Sequence, residues 1–255
     1  MSLLWETSMK IFLSALEASQ AFGYINERID KYLYNLMSYY YLTRNDNYKE
    51  IIRKSEEVLI DSGAYSFQRG KKVDWYEYTK SYAEWIKKHD CDKILGYFEM
   101  DVDNVIGYEE VLELRKILLK ATNKIIPVWH KNRGIEDFIN MCKNYEFDIV
   151  AITGQAGQDI KYTQIQRFVN IAHKYNKKIH CLAMTRRNML DEVNFDFVDS
   201  SSWIQQVVYG TVGAKVIGRK VSKKFTKENR KRILYLSYLE WMELQKKYRY
   251  KEVCL

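Results

Sequence analysis

Eight short apolar runs punctuate this chain, and most of them are apolar without interruption: residues 10–16, 34–38, 58–61, 94–101, 124–130, 148–154, 178–184 and 195–199. A strand with one wet face alternates apolar and polar residues, so an unbroken run points to a strand buried on both faces. Amphipathic stretches separate the runs. Residues 74–89 read as a helix that Asp74 can cap, with Glu77 three positions on. Residues 108–120, 135–145, 162–175 and 187–193 read likewise; Ile165, Phe168, Val169 and Ala172 fall at i, i+3, i+4 and i+7. Strands buried on both faces and alternating with helices predict an α/β fold, and eight of them predict a (β/α)8 TIM barrel. A doubly wound open sheet is the alternative, and no GxGxxG follows the first run to favour its dinucleotide-binding form. Pro127 lies inside the fifth run and removes a ladder donor, but the rhythm around it keeps that run a strand.

At 255 residues the chain suits one large domain, 1–255, with the barrel over 9–205 and a C-terminal extension over 206–255. The extension differs electrically from the rest. Residues 1–199 carry 28 Lys+Arg against 29 Asp+Glu, whereas residues 200–255 carry 13 against 4. All of the chain's net +8 therefore resides near its end. Arg219, Lys220, Lys223 and Lys224 form a basic run, and a long helix is expected from Thr226 to about Lys247 with Tyr235, Tyr238, Leu239 and Met242 as its packing face. A localised basic patch fits a polyanion, with nucleic acid the first partner to consider and a membrane surface the second. Cys91, Cys142, Cys181 and Cys254 form no CxxC pair, so no structural zinc site of the usual spacing is expected. No signal peptide is read at the start of the chain, and reduced thiols in a cytoplasmic protein are the expectation.

In such a barrel the reactive groups gather at the C-terminal ends of the strands. Here those ends are Asp61, Asp101 with Asp103 nearby, His130, Gly154, Met184 and Asp199. Carboxylates crowded into one mouth raise one another's pKa values, so their presence suggests acid–base chemistry, covalent attack or metal binding. His130 and His180 are the histidines that could join a metal set. His180, four residues before the end of its run, is expected inside the barrel wall or against a helix, and no metal is expected. Asp103 reads as a loop cap, Cys181 as buried wall, and Trp75, Tyr78, Tyr82 and Trp85 as core. The stretch from Val58 to Ser66 is the most suggestive. Its apolar run delivers Asp61 to the mouth, Ser62 and Gly63 allow a tight turn, and Tyr65 offers a flat face.

Asp61-Ser62-Gly63-Ala64-Tyr65 resembles the Asp-Ser-Gly-Gly-Phe motif of the tRNA-guanine transglycosylase family. Glu99-Met100-Asp101 is similar to that family's second aspartate strand end, and Val198-Asp199-Ser200-Ser201-Ser202-Trp203 resembles its Phe-Asp-Ser-Ala-Ser-Tyr pattern. The resemblance covers roughly residues 55–205. It implies a (β/α)8 barrel that exchanges guanine in a nucleic acid for a 7-deazaguanine base. By that resemblance Asp199 is the nucleophile, with Asp196 the competing alignment. Asp61 is the general acid/base. Asp101, Ser62, Gly63, Tyr65, His130, Gly154 and Met184 bind the base, and Arg219, Lys220, Lys223 and Lys224 hold the nucleic-acid backbone. Ala64 replaces the motif's second glycine, Ser66 stands where the bacterial branch has Gln, and Val128-Trp129-His130 does not reproduce the family's Gln-Gly pair. The family's Cys/His zinc lobe has no counterpart, so no cofactor is implied. The compact, zinc-less chain resembles the phage and prophage branch, which implies DNA slightly ahead of tRNA as substrate. The alternatives are a barrel hydrolase or lyase on a sugar or phosphorylated substrate, and an inactive nucleic-acid-binding relative.

Overall fold

The computed structural model describes residues 6–67, 73–153, 160–209, 211–212, 215–216, 225–249 and 251–252. All eight runs become strands of one parallel sheet: β1 (Lys10–Ser14), β2 (Tyr32–Ser38), β3 (Ser55–Asp61), β4 (Ile94–Phe98), β5 (Ile125–Ile126) and β6 (Val128–Trp129) from the fifth run, β7 (Ile149–Thr153), β8 (Lys178–Leu182) and β9 (Phe197–Ser200). The pairing order is β5-β4-β3-β2-β1-β9-β8-β7-β6. The two ends of that order, β5 and β6, flank Pro127. The sheet therefore closes through the chain itself, and the molecule is a (β/α)8 barrel.

The expectation of one continuous strand over 124–130 needs correction at that point. Pro127 has no N–H to offer the ladder, and the pairing changes sides there. Ile126 O accepts from Glu99 N on the β4 side, while Pro127 O accepts from Ala151 N on the β7 side. The next amide, Val128 N, donates to the Glu99 carboxylate at 2.6 Å. Glu99 is held in turn by Arg115, at 2.5 and 3.0 Å.

Side chains alternate across each strand, and the two apolar clusters follow that alternation. Ile11, Leu13, Val58, Ile60, Val150, Ile152, Ile179 and Val198 face outward into the layer shared with the helices. Phe12, Leu36, Leu59, Phe98, Val128, Ala151 and Phe197 fill the barrel. Two residues further along, the same inward face carries Ser14, Ser38, Asp61, His130, Thr153 and Asp199. One apolar layer thus sets a polar ring directly above it.

A helix follows each strand position, among them α1 (Phe22–Asn26), α2 (Asn47–Lys54), α3 (Trp75–His89), α4 (Tyr108–Leu119), α5 (Gly134–Asn144), α6 (Tyr162–Lys174), α7 (Arg187–Glu192) and α8 (Ser202–Tyr209). Asp74 caps α3 as expected, accepting from Tyr76 N and Glu77 N. Tyr82 is buried, and the rings of Trp75, Tyr78 and Trp85 pack as core. At five residues α1 is too short to cover its strand, and the long terminal helix α9 (Lys227–Arg249) does so instead. Paired residues join β1 and β2 only at Leu13 with Asn35 and Ser14 with Leu36. Below that the strands part, and Gln245 of α9 fills the gap, donating to both Ile11 O and Tyr34 O at 2.7 Å. Tyr238 donates to Asn35 Oδ1 at 2.7 Å. Glu6–Thr7 and Lys251–Glu252 pair antiparallel beside this junction. No helix among the described residues is long and apolar enough to cross a membrane.

Candidate active site at the barrel mouth

The polar ring opens into a cavity of about 640 Å³. Its lining includes Ser14, Glu17, Asp61, Tyr65, Asp101, Asn104, His130, Thr153, Ala183, Asp199 and Ser201. No Lys or Arg lines it among the described residues. Four carboxylates face the same space, so this mouth favours cations, positively polarised carbon and N–H donors over anions.

Asp199 ends β9 almost buried, and three donors hold it. Oδ1 accepts from His180 Nε2 at 2.9 Å and Ala183 N at 3.0 Å, and Oδ2 accepts from Ser14 Oγ at 3.0 Å. Phe197 pairs in register with His180, and the alternation places both Asp199 and His180 on the barrel's inner face. The competing residue, Asp196, lies at the other end of β9. There its carboxylate accepts from His173 Nε2 and Ile179 N, away from the cavity.

Asp61 ends β3. Its Oδ2 accepts from Gly63 N at 2.8 Å. Burial, joined by the charges of Asp101 and Asp199, pushes its carboxyl up to about 6 against the lowering effect of that N–H. Gly63 has φ +77°, a conformation glycine adopts without the penalty a Cβ would bring. Asp101 accepts from His130 Nε2 at 2.5 Å, and Asp103 Oδ1 lies 3.6 Å from the same nitrogen. Burial raises Asp103, with His130 opposing and Asp101 adding to the rise. Among the described residues, Asp101, Asp103 and His130 are the one group at metal-ligand spacing.

Several expected contacts change. Met184 does not reach the cavity: it is buried in the outer apolar layer, and Leu182 and Ala183 line the mouth beside it. The strand ends at Leu182, and Ala183 turns with φ +54°, which carries Met184 away. The Ser62 side chain is fully buried outside the lining, and its carbonyl accepts from the Tyr78 hydroxyl. Gly63 acts on Asp61 through its N–H and is not itself a lining residue. Tyr65 stands at the rim, 64% exposed. Gly154, Arg219, Lys220, Lys223 and Lys224 lie outside the described residues.

Glu17, which sequence reasoning missed, also lines the mouth. It is buried, and its Oε1 accepts from Ser38 N at 2.9 Å while Oε2 has no hydrogen-bond partner among the described residues. Burial pushes it up to about 7, against the Ser38 N–H and with a further rise from Asp61. Reading the first strand through Leu16 hid it. The strand ends at Ser14, Ala15 takes φ +69°, and the chain folds Glu17 over the mouth. Ser14 was legible in principle, two positions beyond the inward Phe12.

No family model and no curated protein matches the chain. Solved structures do resemble it. One is a protein from Coccidioides immitis assigned as a fructose-1,6-biphosphate aldolase, with a TM-score of 0.54 and 10% identity over 94% of this chain and 90% of that one. Another is the carboxyl transferase domain of Rhizobium etli pyruvate carboxylase with 3-bromopyruvate, with a TM-score of 0.52 and 12% identity over 98% of this chain and 49% of that one. Neither is a guanine transglycosylase, and at these identities the likeness is one of fold: this chain is a TIM barrel with its reactive groups where that fold places them.

Proposed function

We propose that the protein exchanges a guanine base in a nucleic acid, DNA ahead of tRNA, for a 7-deazaguanine base through a covalent aspartyl-glycosyl intermediate. The observation that carries this reading is Asp199: a carboxylate at the cavity floor, fixed by three donors, facing other carboxylates, with no Lys or Arg among the described lining residues. Displacement at an anomeric carbon passes through an oxocarbenium-like state, which negative charge stabilises. A guanine-like ring presents N–H donors, which Asp101 can accept. The Asp199 carboxylate attacks C1′, and the electron pair of the C1′–N bond leaves with guanine, which takes a proton from Asp61. The incoming base returns a proton to Asp61 as its nitrogen attacks C1′ and displaces Asp199. A carboxyl raised to about 6 is suited to both transfers. The base must leave the stack to enter the barrel, and the basic extension is placed by its charge to hold the backbone.

A second reading, a metal-assisted hydrolase or lyase on a sugar or phosphorylated substrate, draws on the Asp101, Asp103 and His130 group and on the aldolase-type barrel fold. One experiment separates them: labelled guanine is offered with duplex DNA and with bulk tRNA, with and without a chelator, to wild type, Asp199→Ala and Asp61→Ala. Label entering one polymer, unaffected by chelation and lost in Asp199→Ala, is the expected result. No label in either polymer from a binding-competent wild type, with a 7-deazaguanine offered in parallel, overturns base exchange.

A further inference from the structure

We infer that His180 is the positioning residue of the reacting carboxylate, and that it fixes Oδ2 of Asp199 as the attacking oxygen; the second half of this inference rests on the base-exchange reading. The two Asp199 oxygens are not equivalent. Oδ1 is occupied by two N–H donors, His180 Nε2 and Ala183 N, both anchored in the barrel wall. Oδ2 has one hydroxyl donor, Ser14 Oγ at 3.0 Å. A hydroxyl rotates freely and can turn its proton elsewhere, whereas an anchored N–H cannot. A carboxylate tethered at one oxygen by anchored N–H donors, and at the other only by a hydroxyl that can rotate away, delivers one defined lone pair to the cavity, which is what an in-line attack needs.

Among the described residues, the one hydrogen bond of the His180 ring is the one to Asp199. His180 is fully buried among the rings of Phe12, Phe98 and Phe197, with centroids at 6.2, 5.0 and 6.5 Å. Its Nδ1 is buried with no hydrogen-bond partner among the described residues. A proton on that nitrogen would be an unsatisfied donor in an apolar cage. The proton therefore belongs on Nε2, the nitrogen that faces the carboxylate. The aromatic cage selects the tautomer, and the tautomer makes His180 a donor to Asp199. His180 does not touch the cavity, so its effect on chemistry passes through Asp199.

The test uses the full-length protein. In 15N-resolved NMR at pH 7, His180 is expected to show a proton on Nε2 and a bare Nδ1; a proton on Nδ1 alone overturns the assignment whatever the protein catalyses. Single-turnover formation of the Asp199–DNA adduct is then compared in wild type, His180→Gln and His180→Phe. A reacting group misplaced by about 1 Å loses about 100-fold in rate. His180→Phe, which fills the cage without a donor, is expected to lose that much in adduct rate with DNA affinity unchanged. His180→Gln, whose amide N–H can reach Oδ1, is expected to recover part of it. Equal adduct rates in all three proteins overturn the positioning role. Absence of an adduct in wild type with DNA and with tRNA alike overturns the base-exchange reading and with it the choice of Oδ2, while the NMR result still decides the orientation of Asp199.

Discussion

Glu99 and Val128 are joined across the seam of the barrel: the Glu99 carboxylate accepts the Val128 N–H at 2.6 Å, one residue after Pro127 has withheld its own. Arg115 closes on the same carboxylate, and all three residues are buried. Replacing Glu99 by Gln keeps an acceptor for Val128 but leaves the Arg115 guanidinium buried without its counter-charge. Breaking one side of a buried ion pair costs about 3–5 kcal/mol. Glu99→Gln is therefore expected to lose stability on that scale in urea unfolding, and a loss under about 1 kcal/mol would show that the seam does not depend on this pair.

Gly63 makes a sharper local prediction. An added Cβ would sit 2.7 Å from Tyr40 Cβ and 2.8 Å from Tyr40 N, at a backbone φ of +77°. The left-handed conformation alone costs a residue with a Cβ about 1–2 kcal/mol, and the clash adds to it. Gly63→Ala should lower the melting temperature and disturb the N–H that holds Asp61, so the proposed base exchange should fall further than stability accounts for. Activity and melting temperature measured on the same preparation check both parts.

Stability should fall as pH rises through the slightly acidic range. Burial raises the folded-state values of Glu17, from 4.5 to about 7, and Asp61, from 3.8 to about 6. The unfolded chain releases these protons near pH 4 while the folded chain retains them, so the unfolded state gains relative stability as pH climbs toward 7. Glu17→Gln removes one such group. Its melting temperature should vary less between pH 5 and pH 8 than that of wild type, and should exceed wild type at pH 8. A wild-type profile flat over that range would contradict the burial of both acids.

The docking of α9 rests on Gln245 as much as on apolar contact. Gln245→Leu leaves Ile11 O and Tyr34 O without the donor they share. At about 1–3 kcal/mol for each of the two buried carbonyls left unpaired, the variant should lose about 2–6 kcal/mol in denaturant unfolding. Leu236 on the exposed face of the same helix is the control: Leu236→Ala should cost little.

The fold was legible because the signal repeats. Eight apolar runs, most of them uninterrupted, at helix-length intervals admit few closed architectures, and the weakest of them, around Tyr34, still became a strand. Asp61, His130 and Asp199 were legible as lining residues for a simpler reason: the two-residue period carries the inward face from an apolar layer to a polar one, whereas Asp101 lies past the end of its strand and off that period. What escaped depends on where strands stop. Met184 turned away and Glu17 turned inward because Ala183 and Ala15 adopt positive φ, and nothing about an alanine announces that. The split at Pro127 was foreshadowed by its missing donor, but the remedy, a side chain from the preceding strand's end, is a long-range pairing that local pattern does not encode. His180 was expected in the wall or against a helix, and its alliance with Asp199 required the register between β8 and β9.

The gap between the first two strands has a consequence for how the molecule comes into being. Gln245 and Ile11 stand 234 residues apart in the chain, so the outer face of β1 meets its cover only after the whole of the barrel between them has been synthesised. During translation, which takes tens of seconds at about 5–20 residues per second, Ile11 and Leu13 remain an apolar stripe without a helix over it. Closure of the barrel thus waits for the last helix to be made, and until then this stripe is open to non-native contacts.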